Sequence, residues 1–250
     1  MSSMITIRPA RIILLAALAL AAAGATFAEA QKLSKVEFVP GQSTATVRSQ
    51  IRGHEYADFV LSASAGQTLA IEMKASNRSS YFNVTPPASE NAMFNGSVSG
   101  EKFTRLAPSD GDYTVRVYLM RNAARRNESS SFALQFAMTG AALAPLPAAA
   151  DATIKDTPFH ASTQASCSLD SSPASQQCQA FVIRRGYDGT GTVEVVLPNG
   201  EKRRVLFVKG TPVSSDSARD MTSTRNEDLT TVTFDGGETF VIPDMLVNGG

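Results

Sequence analysis

Apolar and polar residues alternate along much of this chain, in short runs cut by Gly, Pro, Asn and Asp. A period of two is the signature of half-buried antiparallel strands. Residues 56–61 and 68–74 (TLAIEMK) both alternate, and Ala65-Gly66-Gln67 supplies the turn between them. The clearest strand is 113–120 (YTVRVYLM), with Tyr113, Val115, Val117 and Leu119 on one face and Thr114, Arg116, Tyr118 and Met120 on the other. Residues 132–138 alternate too, with Phe132, Leu134, Phe136 and Met138 sharing a face, and are expected to pair with 113–120. Between these two runs lies a polar, arginine-rich connection, 121–130 (RNAARRNESS). It is long for a hairpin, and long loops on rigid sheets often carry function.

Residues 141–152 (AALAPLPAAADA) lack alternation and hold two prolines, as a semi-stiff linker would. Beyond them the strand pattern returns in hairpins. Residues 180–185 and 192–197 flank a Gly-Tyr-Asp-Gly-Thr-Gly turn, Pro198-Asn199-Gly200-Glu201 leads into 203–208, and Asp235-Gly236-Gly237 joins 230–234 to 238–242. The polar stretch 214–228 reads as a mobile loop. The expected fold class is all-β: an N-terminal antiparallel β-sandwich over 31–140, an Ala/Pro-rich linker over 141–156 and a smaller C-terminal antiparallel β domain over 157–250.

The first thirty residues differ from the rest. Arg8 and Arg11 precede an uncharged apolar run, 12–23, and small residues follow it. This is the plan of a secretory signal, with cleavage expected after Ala28 or Ala30. The run is shorter than the ~20 residues a spanning helix needs, so a periplasmic or secreted protein without membrane insertion is expected. Export changes the reading of Cys167 and Cys178, the only cysteines. In an oxidising compartment they should pair, closing a loop worth ~3 kcal/mol in the chain-entropy model. Basic and acidic residues balance at 23 each. A neutral chain has no global field to gather nucleic acid, so recognition must be local.

Catalytic signals are sparse. His54 and His160, the two histidines, stand far apart, and there is no HExxH, GxSxG, CxxC or phosphate-cradling loop. The chain is expected not to be an enzyme and to need no cofactor or metal. What stands out is arginine: Arg116, Arg121, Arg125 and Arg126 fall within eleven residues. They could simply be a solvated hairpin tip paired with Glu128 or Asp112. They could equally be a protruding contact for carboxylates, which guanidinium binds in bidentate fashion. Arg184, Arg185, Lys202, Arg203 and Arg204 make the second half locally basic, and read as the wet face of alternating strands.

Several segments resemble the periplasmic inhibitors of g-type lysozyme in residues and in order. They are Gly53-His54-Glu55-Tyr56-Ala57-Asp58, the Ala65-Gly66-Gln67 turn, Asp110-Gly111-Asp112-Tyr113-Thr114-Val115-Arg116-Val117 and the RNxAR segment Arg121-Asn122-Ala123-Ala124-Arg125. The resemblance covers about 35–138, and the same region is similar to the wider prepeptidase C-terminal-type β-sandwich. It implies that Arg121 and Arg125 enter a lysozyme active-site cleft. It also implies a contact from a G-Y-x-Y segment, matched here by His54 and Tyr56, with His54 in place of the first tyrosine. A second inhibitor motif, SGxxY, has only the partial match Ser99-Gly100-Glu101-Lys102-Phe103.

The function expected is therefore inhibition of lysozyme, g-type above others, by an arginine-bearing loop. The alternative is a carbohydrate- or envelope-binding accessory module, with Tyr81, Phe82 and Phe94 as candidate aromatics if they are not core. A third is an uncharacterised hydrolase.

Overall fold

The alternating runs of the first half fold into two facing sheets. The computed structural model describes residues 31–170 and 176–249, and the signal segment expected over 1–30 lies outside them. One sheet has five strands, in the order β1 (Gln31–Lys35), β3 (Tyr56–Ala63), β8 (Gly111–Leu119), β5 (Ser80–Thr85) and β6 (Phe94–Asn95). The other has four: β2 (Thr44–Arg52), β9 (Ser129–Thr139), β4 (Thr68–Ala75) and β7 (Lys102–Leu106). β1 runs parallel to β3, and every other pair is antiparallel. Two short helices, α1 (Gly96–Ser99) and α2 (Arg121–Arg125), interrupt the connections.

Alternate residues of each strand point inward. Phe59 and Leu61 of β3 and Val115 and Val117 of β8 meet Leu69 and Ile71 of β4 and Leu134 and Phe136 of β9 in one core. Burying a side chain of this size stabilises by ~1.5–3 kcal/mol. Tyr113 is fully buried beside them, and its hydroxyl donates to the Ser109 carbonyl at 2.8 Å. Burial pushes this phenol up to about 12.

The expected pairing of 113–120 with 132–138 does not form. β8 lies between β3 and β5, whereas β9 lies between β2 and β4 in the facing sheet. Alternation tells which face a residue takes but not which strand it joins. Between β8 and β9 the chain crosses the end of the sandwich through α2, so their apolar faces meet across the core instead of edge to edge.

The second half is one eight-stranded antiparallel sheet. Its order is β14 (Thr211–Ser215), β13 (Lys202–Val208), β12 (Gly191–Val196), β11 (Gln176–Arg184), β10 (Ala161–Ser168), β17 (Thr239–Pro243), β16 (Leu229–Phe234) and β15 (Met221–Asn226). The sheet curls until its end strands, β14 and β15, approach each other. Val182, Val193, Phe207 and Phe240 fill the interior, and Leu246 and Val247 of α3 (Asp244–Asn248) pack into it. The stretch 214–228 is not the loop expected. β15 within it pairs residue for residue with β16, from Met221 opposite Phe234 to Asn226 opposite Leu229. Its polar sequence (MTSTRN) reflects an exposed edge strand.

Cys167 and Cys178 sit on neighbouring strands β10 and β11 and form the disulfide, with Cα atoms 5.9 Å apart. Replacing both by serine is expected to lower stability by about 3 kcal/mol, read from urea unfolding. Mass spectrometry of unreduced, alkylated protein should find no alkylated thiol. Two alkylated cysteines would contradict the bond.

The halves meet in a polar seam, and here the basic cluster is not the wet face expected. The Arg185 side chain is fully buried. Its Nη2 reaches Asp110 Oδ2 at 2.7 Å, its Nη1 donates to the Leu143 carbonyl and its Nε to Thr192 Oγ1 at 3.1 Å. Thr192 Oγ1 donates to the Pro108 carbonyl, Arg204 Nη1 to that of Pro87 and Ser214 Oγ to that of Leu106. Arg203 pairs with Glu238 at 2.7 Å, and Arg184 with Asp151 at 3.0 Å. Lys202 alone of the five keeps a half-exposed side chain. The connecting segment is fastened too. Leu143 lies on Gly66, where a Cβ would come 2.5 Å from its Cγ. Leu146 O is 3.0 Å from His160 Nε2, while His160 Nδ1 accepts from the Arg184 amide. That pair of bonds puts the ring proton on Nε2.

The two apolar clusters share no residue. A chain cut after Gly140 is therefore expected to give a cooperative melt and a β-type circular dichroism spectrum, with Asp110 rehydrated. If only the full chain melts cooperatively, the boundary at 140 is wrong. In the full chain, Arg185→Met should cost about 2 kcal/mol, less than the roughly 3–5 kcal/mol for breaking a fully buried pair, because the Asp110 side chain is 40% exposed.

Candidate partner-binding site

The site is built at the end of the sandwich where β2 turns into β3 and β8 runs into α2. The 52–55 turn is closed by Glu55, whose amide donates to the Arg52 carbonyl and whose carboxylate accepts from the Arg52 amide at 3.1 Å. Gly53 takes a positive φ of 58° in it, and its amide donates to the Glu128 carbonyl at 2.8 Å. A Cβ there would lie 2.7 Å from Asn127 Oδ1 and push that side chain aside, and the positive φ itself favours glycine. The turn presents His54 exposed, with Tyr56 half-buried beside it.

Arg116 covers Tyr56. Its guanidinium carbon stands 4.1 Å from the ring centroid, in cation–π range. Its Nε and Nη2 each lie 2.7 Å from an oxygen of the buried Asp58, directly across the β3–β8 ladder. Of the two pairings expected for the arginine cluster, the one with Glu128 is made by Arg126, while Asp112 accepts from Ser62. Asp58 was legible as a charge on a strand at the position opposite Arg116, but only once the register of β3 and β8 is known.

The segment expected to be a loop forms the single-turn helix α2. No side chain caps its start, and a helix this short has little stability of its own. Tertiary contacts hold it. Ala123 and Ala124 are buried in the core, and Asn127, in the left-handed region at φ 57°, closes the end. Glu128 braces it from the residue before β9: Oε2 accepts from Asn77 at 2.8 Å and Oε1 from Arg126 at 2.7 Å. The Asn77 bond, then Arg126, hold the Glu128 carboxyl below its ordinary range.

Arg121 and Arg125 stand one helical turn apart, which places them on the same side of α2. Both are exposed, and neither has an ion-pair partner among the described residues. Arg121, His54, Tyr56, Arg116 and Met120 line one cleft of about 570 Å3. Arg125 lies outside its lining, farther along the helix. Phe103 of the Ser99–Phe103 segment is buried in the core, as are Phe82 and Phe94, while Tyr81 is half-buried. Among the described residues no group of three or more His, Cys, Asp or Glu could hold a metal ion. Nor is any helix among them long and apolar enough to cross a membrane.

Over less than half its length, the chain is similar to periplasmic inhibitors of g-type lysozyme. The inhibitor from Aeromonas hydrophila matches at 26% identity over 44% of this chain and 100% of its own, with a TM-score of 0.40. A mutant of that from Escherichia coli matches at 24% over 44% and 100%, with a TM-score of 0.36. The pre-peptidase C-terminal domain of a Bacillus anthracis collagenase matches at 12% over 45% and 97%, with a TM-score of 0.30. Both families that the residues resemble are thus among the matches. No family model and no curated protein matches the chain.

Arg116→Met should leave the Asp58 carboxylate buried without its bidentate partner. A loss of about 2–3 kcal/mol is expected in urea unfolding, and Asp58→Asn in the same background should recover part of it. An unchanged midpoint in Arg116→Met would show that the pair contributes nothing.

Proposed function

We propose that the protein is an exported inhibitor of lysozyme, g-type before other classes, that presents α2 to the enzyme's acidic cleft. One observation carries this reading. Of the four clustered arginines, Arg116 and Arg126 are spent on Asp58 and Glu128, while Arg121 and Arg125 face solvent from a braced helix with no partner among the described residues. Two guanidinium groups held ready on one side of a protrusion suit a cleft lined with carboxylates. The solved proteins to which the chain is similar are described as inhibitors of g-type lysozyme.

Lysozyme cleaves its glycan with a carboxylic acid that must be protonated at the start of the reaction. A guanidinium against that group favours its ionised form, which cannot donate a proton. The same side chain occupies the space of a sugar. Acid and access are removed together. Because α2 is already fixed by Ala123, Ala124 and the Glu128 brace, little ordering is left to oppose binding. The exposed His54 and the Tyr56–Arg116 stack flank the helix as a second contact in the same cleft. The protein acts by binding, not by catalysis, in the periplasm or outside the cell.

Arg121→Ala and Arg125→Ala are each expected to weaken inhibition of a g-type lysozyme by roughly 30-fold to 1000-fold, corresponding to ~2–4 kcal/mol for a central charged contact. Lysine should rescue only part, since it lacks the forked geometry. Arg126→Ala, which loosens the Glu128 brace but removes no contact expected in the cleft, should weaken inhibition less than either, and Arg48→Ala on the opposite sheet should change little. His54→Tyr should keep or strengthen inhibition. If the unaltered protein leaves g-, c- and i-type lysozymes fully active at micromolar concentration, the reading is wrong.

A further inference from the structure

A second cleft, of about 300 Å3, opens along the seam between the halves, at the opposite end of the sandwich from α2. One wall is apolar: Pro87 faces Pro158, Phe159 and Ile183. Phe159 lies over Phe181 with ring centroids 4.8 Å apart and planes tilted by 30°, so its ring is held in place. The polar side is made by Asp110, Glu194 and Arg204.

Arg204 is more than nine-tenths buried. Its Nε donates to Glu194 Oε2 at 2.9 Å and its Nη1 to the Pro87 carbonyl at 2.7 Å, while its Nη2 makes no hydrogen bond among the described residues. Asp110 accepts the Ala65 amide and the fork of Arg185, three bonds for a carboxylate that can take about four. Donor and acceptor capacity therefore sit together beside a fixed aromatic ring.

The charges balance, Asp110 against Arg185, and Glu194 and Asp216 against Arg204 and Lys202. An anion would meet Asp110 and Glu194, and a cation would meet Arg204. A hydroxyl both donates and accepts, so a neutral polyhydroxylated ring satisfies both signs at once and can lay its C–H face on Phe159. The volume, at the low end for ligand sites, suits a ring or two more than a long chain.

We propose that the seam cleft is a binding site for a neutral sugar, separate from the α2 site. The test is a nitrogen-15 NMR titration of the full chain with N-acetylglucosamine, glucose and, as a charged control, acetate. The amides of Phe159, Ile183 and Thr192 should shift saturably with at least one sugar and not with acetate. Phe159→Ala should weaken that binding at least about fivefold, the loss expected for an aromatic face. Phe159→Leu, which keeps apolar packing on Phe181 but not the flat ring, should weaken it as well. Lysozyme inhibition should be unchanged in both variants, so failure here is distinguishable from failure of the inhibitor reading. The proposal is overturned if no sugar shifts these amides at millimolar concentration, if acetate alone does, or if both Phe159 variants bind like the unaltered protein.

Discussion

A single buried guanidinium decides how this chain is put together. Arg185 takes its three kinds of partner from three pieces of the molecule: the Asp110 carboxylate from the sandwich, the Leu143 carbonyl from the connecting segment and the Thr192 hydroxyl from the second sheet. A buried cation must be compensated on all sides or it is costly. The three pieces are therefore placed by one group's need for acceptors. Around it the seam is built from hydrogen bonds to backbone carbonyls at the turns of the sandwich, those of Pro87, Leu106 and Pro108. Each half keeps its own apolar interior while the join between them remains polar.

This also explains where the sequence was readable. The alternation at 113–119 named the inward face of β8 correctly, and the hairpin turns at 198–201 and 235–237 joined the strands they were expected to join. Those are local facts. Sheet membership is not, which is why 132–138 was assigned to the wrong neighbour. The basic residues of the second half failed for the same reason. Arg185 and Arg204 look like solvated strand charges until Asp110 and Pro87, 75 and 117 residues away, are seen beside them. The polar edge strand β15 carried too few apolar residues to be told from a loop.

At the α2 site the sequence supplied the prominent residues and missed what holds them. Arg121, His54 and Tyr56 converge on one cleft although some 65 residues separate the two segments. The supports are Asp58, Asn77, Gly53 and Asn127, small or polar residues of ordinary appearance. Their role depends on contacts such as the approach of the 53 turn to 127, which no run of neighbouring residues encodes. The RNxAR segment was expected to be a loop, either a solvated tip or a protruding contact for carboxylates. It is instead a helix seated on two buried alanines, so tertiary contacts fix the direction in which its exposed arginines project.

Strand direction adds one more point. β8 leaves the seam at Gly111 and reaches the α2 end at Leu119, nine residues or about 30 Å later. The seam and the arginine helix are thus opposite poles of the sandwich, and the second half extends away from the face that would meet an enzyme. Occupancy at one pole leaves the other sterically open. A molecule held at its far pole on an immobile polymer would keep its arginine pole facing outward, and a protein arriving to digest that polymer would meet it at a raised local concentration.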